Sequence, residues 1–160
     1  MSENITMRML LKEQSIPYDY DFRQIEKKDI NMLANLALES YRASPQYRNE
    51  TLQDYRNQIG SILSGALGPW LESASLVVEE AGTASSATIV FHHKEANVPV
   101  LAFWMTHPDF WKQGYGYCLL KHSINELLRK GFQELHVNVS PENTVAYQLL
   151  ELLGFEKLEE

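Results

Sequence analysis

The sequence predicts a single-domain α/β (α+β) fold, with a mixed, mostly antiparallel sheet flanked by about four helices. Two stretches carry this reading. Residues 75 to 106 hold three apolar runs separated by turns, the pattern of an antiparallel meander. From there to Phe155 the order becomes strand, helix, strand, helix, strand, which calls for crossover helices and a mixed sheet. The chain has 160 residues and no repeat, low-complexity tract or linker to divide it. One core can then bury ~70% of the unfolded surface.

Taken in order, Ile5 to Leu11 is an apolar-rich run whose Met7, Met9 and Leu11 share one strand face. Residues 1–17 read as an N-terminal extension, and 5–11 as a strand added to the sheet, within the subunit or across a homodimer; a disordered or helical N-terminus is the alternative. The main domain spans 18–160. Tyr18 to Arg23 alternates aromatic and polar residues, as a short strand does. Lys28 to Ala43 places Ile30, Leu33, Ala34, Ala37, Leu38 and Tyr41 on one helical stripe before Pro45. A second helix is predicted from Thr51 to Leu67, stopped by Gly68-Pro69. Strands follow at Ser75–Glu80, Ala84–His92 and Val98–Thr106. A helix then runs to Lys130, with Gly131 as its C-terminal cap. Leu135–Val139 is a strand, Asn143–Leu153 a helix, and Gly154-Phe155 opens a last short strand.

Composition narrows the function. Formal net charge is −7, which argues against nonspecific nucleic-acid binding. Residues 112 to 131 nevertheless carry +3 through Lys112, Lys121, Arg129 and Lys130 against Glu126, leaving −10 elsewhere. That segment reads either as a local anion site or as solvated helix charges. No apolar run is long enough to span a membrane, and the polar start Met1-Ser2-Glu3-Asn4 has no signal pattern. The cytoplasm is the expected compartment. A single cysteine, Cys118, excludes an internal disulfide and most cysteine metal sites. His92-His93 has no further ligands spaced around it, so no metal is expected.

The informative motif is Lys112-Gln113-Gly114-Tyr115-Gly116-Tyr117. Its glycines fall between an apolar strand and an amphipathic helix, where the first backbone N–H groups of the helix have no intrahelical partner. Those donors and the helix dipole suit a phosphate group, and glycine permits close approach. An ordinary strand-to-helix turn would show the same G-x-G. A dinucleotide fingerprint would need glycine where Leu119 stands, and a nucleoside-triphosphate loop would need Gly-Lys-Ser/Thr.

The run His107 to Gly116, followed at a fixed distance by Leu135–Val139, Asn143, Ala146 and Leu153-Gly154-Phe155, resembles the paired motifs of the GNAT superfamily of N-acetyltransferases. The likeness covers about residues 18 to 159. It implies a cytoplasmic acyltransferase that uses acetyl-CoA as cosubstrate and an amine as acceptor, the acceptor being a small molecule or a protein N-terminus. Trp104, Met105 and Thr106 correspond to the strand end that pairs with pantetheine and faces the thioester. Lys112, Gln113, Gly114, Tyr115, Gly116 and Tyr117 correspond to the pyrophosphate loop, and Asn143 to the asparagine on the cofactor arm. The acceptor wall would lie at Tyr41 to Tyr47 with Arg42 and Arg48.

Departures from the pattern matter as much. Trp111 stands where the motif has Arg or Gln. Leu150 replaces the tyrosine that often protonates the thiolate, and Asn138 the glutamate some members use as base. Five residues after Phe155 leave little room for the closing hairpin of the sheet. Tyr147, one turn before Leu150, reads as a replacement acid or as a core-packing tyrosine. Asn138, sharing a strand face with His136, reads as part of the catalytic site or of a wet face. Positioning an amine against a thioester can supply ~7–11 kcal/mol, so an enzyme lacking the usual acid and base is feasible. An acyl-CoA-binding module with little turnover is the alternative.

Overall fold

The computed structural model describes residues 4–17 and 20–158. Within them, strands β1 (Ile5–Leu10), β2 (Arg23–Gln24), β3 (Leu76–Glu80), β4 (Thr83–His93), β5 (Val98–Thr106), β6 (Glu134–Val139) and β7 (Glu156–Lys157) form one sheet. Its order is β2-β3-β4-β5-β6-β1-β7. Only β5 and β6 run parallel, joined by the crossover helix α3 (Tyr115–Arg129). The three remaining helices are α1 (Ile30–Arg42), α2 (Leu52–Leu63) and α4 (Thr144–Leu153).

Helices cover both faces. Leu33 and Ile59, from α1 and α2, pack with Ile89, Phe103 and Met105 on one side. On the other, Leu120, Ile124 and Leu150 from α3 and α4 pack with Met7, Met9, Val90 and Val137. Leu33, Ile59, Leu120 and Ile124 are fully buried, each contributing ~1.5–3 kcal/mol.

Two expected elements end differently. The second helix stops at Leu63 instead of Leu67, because Gly65 takes the left-handed conformation (φ 84°) and turns the chain; Leu67 is exposed. Its start is set by a capping box in which Thr51 Oγ1 accepts from the Asp54 amide and Asp54 Oδ2 from the Thr51 amide. The strand expected at 18–23 begins only at Arg23, with 18 and 19 outside the described residues. Its aromatic alternation serves another purpose: Tyr20 stacks on Tyr115 at 4.1 Å, and Phe22 lies 4.2 Å from His122. Both partners belong to α3.

Strand β1 is inserted between β6 and β7 within the subunit, antiparallel to both, with Met7 opposite Val137 and Lys157. Met7 and Met9 face the core while Thr6 and Arg8 face away. Thus β6, which would otherwise present an open edge beyond β5, is paired along its whole length by β1.

Candidate active site

The site forms where β5 parts from β6. The two strands pair only at Val100–His136 and Leu101–Val137. Opposite β4, Ile89 pairs with Phe103 and Val90 with Leu101, so Ala102 is the extra residue of a bulge. A bulge bends its strand and ends regular pairing. Residues 102–106 of β5 therefore keep β4 on one edge and have no strand on the other. An edge of free N–H and C=O groups can pair with an extended chain.

Two side chains reach that edge. The Tyr41 hydroxyl, from the end of α1, lies near the Trp104 backbone. Burial pushes the Tyr41 phenol up to about 12, against the lowering effect of the Trp104 backbone, so it is protonated at neutral pH. Trp111 Nε1 donates to the Thr106 carbonyl at 2.7 Å. Thr106 Oγ1 lies 3.0 Å from Ser86 Oγ, and Met105 is buried in the first core.

The glycine loop lies beside the strand end. Lys112 (φ 65°) and Gly114 (φ 84°) are left-handed, and Gly114 is the N-cap of α3. The Cys118 amide closes the first turn onto Gly114 O at 3.0 Å, so the amides of Tyr115, Gly116 and Tyr117 are the free donors of the helix. Gly116 is required by packing: a Cβ there would sit 2.8 Å from Thr106 Oγ1 and 3.3 Å from Trp104 Nε1. Its carbonyl accepts from Trp104 Nε1 at 2.8 Å. The loop is braced from outside by Tyr20, whose hydroxyl donates to the Gln113 carbonyl, while Gln113 Nε2 donates to Asp109 O.

Of the four basic residues between 112 and 131, only Lys112 belongs to the loop. Arg129 pairs with Glu126 at the far end of α3, next to Lys130. Lys121 donates to Ser15 O and lies 4.8 Å over the Tyr117 ring. What the loop could offer an anion is thus its amides, the helix dipole and one lysine.

A cavity of about 640 Å³ opens on the α1–α2 side of the parting strands, lined by Leu101, Ala102, Phe103 and Asn138 of the sheet and by Tyr41, Tyr47, Glu50 and Tyr55. Tyr55 titrates above the usual tyrosine range, first from burial, then from the charge of Glu50 and the neighbouring Tyr41 and Tyr47. Arg42 and Arg48, expected in this wall, turn elsewhere: Arg42 pairs with Glu39, and Arg48 with Glu142.

The remaining expected residues divide. Asn143 caps α4, its Oδ1 accepting from the Ala146 amide at 3.2 Å, and its Nδ2 donates to Gln46 Oε1 at 2.9 Å. Asn138 Oδ1 accepts from Thr6 Oγ1 at 2.7 Å. Tyr147 is half-buried against the second core, and Leu150 is buried beside it. His136 does not line the cavity; its Nε2 is 3.4 Å from Glu134 Oε1. Nothing in the sequence marks Glu50, and the sequence places Tyr55 on the inward face of the second helix and Tyr41 on an inward stripe and in the acceptor wall, without a pocket between them. A tyrosine on the inward face of a helix, as Tyr41 on α1 and Tyr55 on α2, looks the same in sequence whether it fills a core or lines a pocket.

A glycine loop at a helix N-terminus, an open strand edge and a cavity beside it meet along β5. The chain belongs to the acetyltransferase (GNAT) family, whose sequence model matches residues 30–155. A 48-residue stretch is 44% identical to the ribosomal protein bS18 alanine N-acetyltransferase of Escherichia coli (strain K12), covering 30% of this chain and 32% of that enzyme. The match therefore spans about a third of that curated relative. Among solved structures, a GCN5-related N-acetyltransferase from Sphaerobacter thermophilus superposes with TM-score 0.73 at 14% identity, over 99% of this chain and 50% of its own. The PaiA N-acetyltransferase from Thermoplasma acidophilum, in complex with coenzyme A, superposes with TM-score 0.70 at 19% identity, over 87% and 91%. These likenesses establish the fold.

Proposed function

We propose that the protein moves the acetyl group of acetyl-CoA to a primary amine by direct attack on the thioester. The observation that carries this is the parting of β5 from β6, which leaves residues 102–106 between the glycine loop and the cavity. Lys112 to Tyr117 hold the pyrophosphate through backbone amides. The edge Trp104-Met105-Thr106 takes the extended pantetheine arm, after Trp111 yields its bond to Thr106, and Asn143 contacts the same arm once released by Gln46. Coenzyme A in the Thermoplasma structure supports that cosubstrate.

The acceptor nitrogen approaches from the cavity, and backbone N–H at the strand edge polarises the carbonyl. Asn138 can accept a hydrogen bond from the amine but not its proton, so water carries the proton away. Tyr147 donates a proton to the departing sulfur. No helix among the described residues is long and apolar enough to cross a membrane, which accords with a cytoplasmic enzyme.

Incubation with acetyl-CoA and a panel of amines should release free CoA thiol and yield an acetylated amine by mass spectrometry. Leu150 and Asn138, where the usual acid and base stand, favour a second reading as an acyl-CoA-binding module. Retention on immobilised CoA with no thiol release for any amine would select that module.

A further inference from the structure

We propose that the acceptor is a linear diamine, held by Glu50 and the tyrosine wall at one end and acetylated at the other. This rests on the acetyltransferase reading and deepens it. Glu50 is the one acidic residue lining the described cavity, and no lysine or arginine lines it. The histidine there, His93, accepts the Ala96 amide on Nδ1 at 3.1 Å. The wall therefore carries one acidic side chain and no lysine or arginine to balance a carboxylate on the acceptor. That disfavours free amino acids.

Glu50 is also held in place. Its carbonyl accepts from Tyr47 Oη at 2.7 Å, and its Oε1 accepts the Arg48 amide at 2.8 Å. The Arg48 guanidinium is turned away to Glu142, and among the described residues Glu50 has no cationic side-chain partner. Tyr47 and Tyr55 flank it, and an ammonium group between a carboxylate and aromatic faces gains from both. The other face of the cavity is the β5 bulge beside Tyr41, where the second, neutral amine would meet the thioester. Its nitrogen forms the C–N bond as the C–S bond breaks. The nitrogen loses one proton and the thiolate takes one up, giving a monoacetylated diamine and free CoA.

The test compares 1,4-diaminobutane with 1-aminobutane, alanine and an alanine-led peptide, using the intact chain. The diamine should exceed the monoamine in kcat/KM by tenfold or more, about 1.4 kcal/mol. Glu50→Gln should raise the diamine KM about tenfold more than the monoamine KM. Gln58→Glu, which adds a carboxylate to the same wall, should deepen the preference and keeps the test informative if the first variant misfolds. Equal rates for the two butylamines, a preference that survives Glu50→Gln, or faster turnover of the peptide would overturn the proposal. Diamine binding is also followed by calorimetry without acetyl-CoA. Glu50-dependent binding there, with no thiol release from any amine, would sink the transferase reading and leave the pocket assignment standing.

Discussion

At the scale of single residues, Gly114 separates backbone geometry from charge. It is left-handed (φ 84°) at the helix N-cap, a conformation that Asn and Asp both tolerate. Gly114→Asn and Gly114→Asp differ chiefly in one negative charge at the proposed pyrophosphate. The Asp variant should bind acetyl-CoA at least ~10-fold more weakly than the Asn variant by calorimetry; equal affinities would remove the loop from the cofactor site. Gly116 makes a poorer probe, since any side chain there meets Thr106 and Trp104. For the proton donor, Tyr147→Phe should lower kcat by ~10²-fold with acetyl-CoA affinity little changed. A loss under threefold would return Tyr147 to packing and pass the role to Tyr41, whose phenol is protonated and sits against the Trp104 backbone.

Among elements, the two-residue strand β2 is too short to hold itself, and Arg23 anchors it. Its guanidinium donates to both Asp29 carboxylate oxygens, at 2.8 and 3.0 Å, and to Glu79 Oε1, tying β2 to β3 and to the start of α1. Hydrogen bonding from Arg23 holds the Asp29 carboxyl below its ordinary value, against the opposing effect of burial. A carboxylate with a depressed folded pKa stabilises the fold at pH above its unfolded value, ~3.9. That contribution is lost as pH falls through the folded value. Arg23→Met should cost about 1–3 kcal/mol at neutral pH, allowing for the partial exposure of the arginine. The wild-type advantage should shrink below pH 4 in urea melts; a difference unchanged down to pH 2 would count against the clamp. This network joins residues up to 56 positions apart, and its members look like ordinary surface charges in sequence.

Over the whole molecule, the sheet depends on β1. Deleting residues 1–11 would strip β6 and β7 of their shared partner and remove the buried Met7 and Met9, worth ~1.5–3 kcal/mol each. The melting temperature should fall by about 10 °C or more; an unchanged value would mean that β1 contributes nothing. The run at 5–11 suggested a strand, with a disordered or helical alternative, and neither the choice nor its place between β6 and β7 was legible locally, because its β6 partners lie more than 120 residues away. The same division holds for the site. The hydrophobic periods and the glycines of the loop were written locally, since turns and amphipathic faces depend on neighbours a few residues apart. The bulge at Ala102, the parting of β5 from β6, the tyrosine wall with Glu50 and the bond between Gln46 and Asn143 were decided by tertiary structure. Each depends on groups distant in sequence meeting in one place, and no local pattern encodes that.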